Sequence, residues 1–143
     1  MALIIGCGTD GRGDDAAGLL AARRLRALGG EALEHTGDGL ALMELWAGAG
    51  DVILIDAVCG PGEPGGVLVW DARTAPLPAD RARGSTHAFG VAEAVELARA
   101  LGRLPRTLTV YGIAGRRFET GTAPSAEVAA AAERVALTLA GRK

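Results

Sequence analysis

The chain has 143 residues, 49% of them apolar and 22% charged, with a formal net charge of −2. That length and mix describe one soluble globular domain, able to bury about two thirds of the surface its unfolded form exposes. Basic residues are dispersed, with no run longer than Arg23-Arg24 or Arg116-Arg117, which argues against a nucleic-acid or anionic-membrane partner.

Aromatic residues make up only 3%, so the core is expected to be aliphatic, with much alanine. The opening "MALIIGCG" has no basic segment and too short an apolar run for a signal peptide. Asp, Glu or Arg interrupts every longer apolar stretch, so none is expected to span a bilayer. A cytoplasmic location follows as the expectation. Cys7 and Cys59 form no C-x-x-C motif, and in a reducing compartment they read as two small buried side chains.

Residues 2–6, "ALIIG", form a short apolar run ended by glycines, a buried strand. From Asp15 to Ala27 the apolar positions recur at helical spacing until Gly29-Gly30 stops them. A weak strand is expected at 31–35 and a helix at 40–47. Residues 51–58, "DVILIDAV", carry the strongest strand signal, apolar on both faces and therefore central. The turn at 60–66 leads into a strand at 67–70. Residues 71–86, with Pro76 and Pro78, read as an irregular loop. A helix follows at 88–101 with Gly102 as its stop, then a buried strand at 107–113 and a helix at 125–140 capped by Ser125.

Strands alternating with helices predict an α/β fold: a single three-layer domain spanning 1–143, with a mostly parallel twisted sheet of about five strands and helices on both faces. The 60–66 turn is too short for a parallel crossover. The strand at 67–70 is therefore predicted to be antiparallel, at or near an edge.

In such a sheet, ligands bind beyond the carboxyl ends of the strands, where the winding reverses. Gly6, Gly8 and Gly11 fit the G-x-G-x-x-G spacing of a dinucleotide loop, but Asp10, Asp14 and Asp15 in the same loop would repel a pyrophosphate and attract a cation. Asp56 ends the central strand. His87 opens a later helix after Ser85 and Thr86, where the helix dipole keeps an imidazole neutral, as a metal ligand must be. Asp15, Asp56 and His87 thus read as a candidate metal site, and two carboxylates with one imidazole suit a divalent first-row ion. Each has a bland role too: Asp15 favouring a helix start, Asp56 capping a turn, and His87 as a first-turn residue.

The segments "GCGTDGRGDDAAG", "VILIDAV", "GPGEPGGV", "STHAFGVAEAVELARALGRLP" and "VYGIAGRRFETGTAPSAEV" occur in that order. Together they resemble the hydrogenase maturation protease family, the endopeptidases that finish the large subunit of nickel–iron hydrogenases. The resemblance runs over essentially the whole chain and implies the same twisted, mainly parallel sheet. It implies metal contacts at Asp15, Asp56 and His87, the residues the topology selects. It implies that the nickel is presented by the substrate, a hydrogenase large-subunit precursor whose C-terminal extension is removed, and that no organic cofactor takes part. A family aspartate near Asp38 suggests that residue as general base, against the alternative of a turn-forming Asp before Gly39. Thr9 stands where the family usually has Asn, and Ala114 where an acidic or amide residue is common. Cys7 and Cys59, beyond the first and third strands, could supply a soft pair for nickel. The chain is expected to act as a monomer.

Two other readings stay open. One is a non-proteolytic metal-binding chaperone of a nickel protein; the other is a nucleotide- or flavin-binding domain. No Ser/His/Asp arrangement and no H-E-x-x-H motif is present, so a conventional serine or zinc protease is unsupported.

Overall fold

The computed structural model describes residues 2–36, 38–59, 63–75 and 91–141. Five strands form one sheet: β1 (Leu3–Cys7), β2 (Leu33–His35), β3 (Asp51–Val58), β4 (Val67–Asp71) and β5 (Thr107–Ala114). Their order is β2-β1-β3-β5-β4. β1, β2, β3 and β5 are parallel, and β4 is antiparallel on the edge beside β5. The central position expected for the 51–58 run is correct, and so is the antiparallel edge strand. β5 enters the sheet between β3 and β4, so the short connection after β3 leads to a strand two places away.

Four α-helices cover the two faces: α1 (Ala17–Ala27), α2 (Gly39–Trp46), α3 (Val91–Ala100) and α4 (Ala126–Ala140). The alternation of side chains along β3 divides the core. Ile53, Ile55 and Ala57 pack with α1 and α4. Val52 and Leu54 pack with α2 and α3, together with Ile5 and Cys7 of β1. The predicted three-layer arrangement is the one observed.

Local signals explain most of the boundaries. α1 stops where Gly29 takes φ 93°, with Gly29 N–H bonded to Arg26 O and Gly30 N–H to Leu25 O, both at 3.0 Å. This paired closure is the one a glycine after a helix makes accessible. Ser125 caps α4 as expected, its hydroxyl accepting from Val128 N–H at 3.4 Å. Two expectations need correction. The helix expected from Asp15 begins as a 3₁₀ turn, Gly13–Ala16, and becomes α-helical only at Ala17, because Asp14 is drawn to a distant loop described below. The second strand is three residues long rather than five.

One close approach fixes α1 against the sheet. A Cβ built on Gly18 would lie 2.2 Å from Ile55 O and 2.3 Å from Cys7 O, and one on Gly6 would lie 2.1 Å from Gly18 O. Only glycine at these positions lets the first turn of α1 rest on the backbones of β1 and β3. That contact sits beside the carboxyl ends of both strands. The chain winds from β1 to β2 in one direction and from β1 toward β3, β5 and β4 in the other, so the reversal falls at this place.

Candidate functional site

The loop after β1 carries three carboxylates, and the fold gives each a different environment. Asp10 is exposed and pairs with Arg23, Oδ1 at 3.0 Å from Nη1 and Oδ2 at 2.6 Å from Nη2. Arg23 also holds Glu34 at 2.8 Å, and Glu34 is shared with Arg26. The hydrogen bond from Arg23 keeps the Asp10 carboxyl below its usual range. Asp10 therefore serves a surface ion-pair network, whose contribution to stability is small.

Asp14 is completely buried. Its Oδ2 accepts from the backbone N–H of Arg116 at 2.8 Å and of Arg117 at 3.1 Å. Its Oδ1 accepts from the N–H of Ser125 at 2.7 Å and the Ser125 hydroxyl at 3.0 Å. Burial pushes the carboxyl up, but the N–H groups of Arg116, Ser125 and Arg117 and the Ser125 hydroxyl outweigh it and hold the group below its usual range. Backbone bonds complete the clamp: Asp14 N–H to Arg117 O at 2.7 Å, Gly13 N–H to Thr122 O at 2.9 Å, and Gly121 N–H to Gly11 O at 2.7 Å. The segment after β5 and the start of α4 thus hold the β1 loop in place.

Asp15 is next in sequence and is 1% exposed. Its backbone is fastened at both ends, the N–H donating to Arg12 O at 3.1 Å and the carbonyl accepting from Thr9 N–H at 3.2 Å. Asp15 is the third carboxylate of this loop. The 3₁₀ turn bearing it lies against β3, and three residues later Gly18 touches the Ile55 carbonyl, immediately before Asp56.

Asp56 is 6% exposed. It stands level with Gly112 of β5, and its place in the alternation of β3 puts it on the α2/α3 side. One residue beyond the paired Gly6 and Ile55, Cys7 comes level with Asp56. Cys7 is buried in the apolar layer under α2 and α3, and Val91 at the start of α3 belongs to the same layer. Cys59 is half-buried beyond β3, and no disulfide joins the two. His87 lies outside the described residues, as do Ser85 and Thr86. Among the described residues no group of three His, Cys, Asp or Glu side chains could hold a metal ion. Asp15 thus lies in the turn after β1 and Asp56 near the carboxyl end of the neighbouring β3, and the third proposed ligand lies outside the described residues.

Asp38 is exposed and is the N-cap of α2, with Oδ1 accepting from Ala41 N–H at 3.0 Å. Its carbonyl oxygen lies 2.9 Å from His35 Nε2, which gives the described histidine a local turn contact. Sequence reasoning missed the anchoring role of Asp14 and of the 115–125 segment.

A family model described as hydrogenase maturation protease, HycI, matches residues 36–141. The chain belongs to the hydrogenase maturation protease family. It is an endopeptidase, a hydrolase that acts in hydrogenase maturation. The [NiFe] hydrogenase maturation protease HybD from Thermococcus kodakarensis is 29% identical over 96% of this chain and 95% of that one, with a TM-score of 0.76. The HycI protease from Thermococcus kodakarensis KOD1 is 24% identical over 97% and 89%, with a TM-score of 0.73. The hydrogenase maturating endopeptidase HybD from E. coli is 23% identical over 96% and 88%, with a TM-score of 0.75. These last two likenesses speak to the fold. Comparison with curated proteins gives no match. No described helix of this protease is long and apolar enough to cross a membrane. Thr9 keeps a backbone contact to Asp15, and Ala114 is bonded to Gly65 and Gly66 at the head of β4.

Proposed function

We propose that this protease removes a C-terminal extension from a nickel-loaded hydrogenase large-subunit precursor, and that Asp15, Asp56 and His87 contact the nickel the substrate presents. The supporting observation is that Asp15 and Asp56 are both buried carboxylates, one in the turn after β1 and one in the neighbouring β3, where the winding of the sheet reverses. Buried carboxylates act through a low dielectric and attract a cation more strongly than exposed ones. Two of them with an imidazole leave coordination positions for ligands from the substrate. A metal shared in this way would fix the precursor against the protease and could polarise the scissile carbonyl or a water molecule. The protein needs no organic cofactor for this chemistry and works as a cytoplasmic monomer.

The test is His87→Ala. The variant is expected to fold and to leave nickel-loaded precursor unshortened on a gel, while the parent protein shortens it. Normal processing by the variant would contradict the proposal. A parent protein that binds the nickel-loaded precursor without shortening it would likewise contradict the proposal.

Asp38 is the proposed general base, acting from the same edge of the sheet. Its capping bond engages Oδ1, so Asp38→Asn preserves an N-cap that serves as well as aspartate. Cleavage slowed by about 100-fold, with an unchanged melting temperature, is the expected outcome for a base. Unaltered cleavage would reduce Asp38 to its cap.

A further inference from the structure

Gly112 stands level with Asp56 on one side and Leu68 on the other. A Cβ built on it would lie 2.6 Å from Cζ3 and 3.0 Å from Cη2 of Trp70, and 3.0 Å from Cγ1 of Val58. The indole of Trp70 therefore lies across the bare backbone of β5, leaning from the edge strand toward the row that contains Asp56. It packs on the α2/α3 side of the sheet, the side on which alternation places Asp56. Neighbouring strands are about 4.8 Å apart, so the ring is on the order of one strand spacing from Asp56.

The two tryptophans of the chain are used differently. Trp46 is a core residue, 2% exposed, whereas Trp70 is half-buried on an edge strand. Aromatic residues are scarce in this protein, 3% in all. A half-open indole laid over a glycine presents an apolar platform, and tryptophan is among the side chains enriched at the energetic centres of protein contacts.

We infer that Trp70 is a specificity-determining residue for the peptidase reaction. Its indole receives an apolar side chain of the precursor, from the stretch of chain adjoining the residues that hold the metal. Gly112 keeps the platform flat and close to Asp56. The inference rests on the proposed role of Asp56 as a contact for the substrate's nickel. Trp70 itself touches no reacting atom, so its contribution falls on substrate binding.

The experiment measures kcat and KM for nickel-loaded precursor with the full chain and three variants. Trp70→Leu fills the inner part of the site but removes the ring face, and Gly112→Ala pushes the ring aside. Both are expected to raise KM about tenfold, the scale of a lost apolar pocket contact, with kcat within about twofold of the parent. Trp70→Phe, which keeps a ring, should restore most of the affinity. Parent-like KM in folded Trp70→Leu and Gly112→Ala would overturn the inference, as would a loss confined to kcat. The two readings fail separately. Processing that survives His87→Ala removes the metal reading whatever Trp70 does, while parent KM in the Trp70 variants removes only the subsite.

Discussion

Asp14→Ala is expected to destabilise the folded protein by about 3 kcal/mol or more, because it strips a buried charged acceptor from several donors. The N–H groups of Arg116, Arg117 and Ser125 would lose their partner, and the tie between the β1 loop and α4 would go with them. Asp14→Asn should fare little better, since its amide turns an N–H₂ toward groups that are themselves donors. The same residue predicts an acid dependence. The Asp14 carboxyl is held below its ordinary range in the folded state, so its stabilisation is fully present above the unfolded value of about 3.9. It is lost as pH falls through the lower folded value. Melting temperatures recorded between pH 7 and pH 2.5 should drop steeply below about pH 4 in the parent protein and less steeply in Asp14→Asn. Parallel curves for the two proteins would show that Asp14 is not the group responsible.

Asp56→Asn is expected to behave differently, leaving a folded protein that fails to process precursor. The substitution keeps the shape of the side chain at its buried place in β3 and removes the charge that the proposed metal contact requires. Losing one charged partner of a buried contact costs about 2–5 kcal/mol, which at 1.4 kcal/mol per tenfold is at least about 30-fold in kcat/KM. The comparison with Asp14 is the informative part. One aspartate should govern stability with activity following it, and the other activity alone. Rates of precursor shortening measured beside thermal melts separate them, and an Asp56→Asn protein with parent activity would remove that residue from the site.

Much of this architecture could be read from the residues. The largely apolar run at 51–58 gave a strand buried on both faces, and β3 occupies the middle of the sheet. The shortness of the 60–66 turn required β4 to be antiparallel. Ser125 and Gly29 punctuated their helices as their chemistry dictates. The topology pointed to Asp15 and Asp56, and both are buried, one in the turn after β1 and one in the neighbouring β3.

What was illegible depended on long-range contacts without a periodic signature. Asp14 and Asp15 are adjacent and chemically identical, and only the return of the 115–125 segment onto the β1 loop gives Asp14 its anchoring role. The sequence "RRFETGTAPS" carries no helical or strand period that would announce this docking. Asp38 could be either a turn former or a base from its neighbours alone, and its capping bond appears only once α2 is in place. Trp70 reads as the last apolar residue of a strand; its position over Gly112 follows from β5 entering between β3 and β4.

The central claim is that carboxylates of this protein ligate a metal belonging to its substrate. Nickel-edge X-ray absorption of a nickel-loaded precursor, recorded alone and in complex with the protease, addresses it most directly. Binding of the parent protein should add oxygen and nitrogen neighbours to the nickel, and Asp56→Asn should remove part of that change. A nickel environment identical in the presence and absence of the protease would contradict the claim.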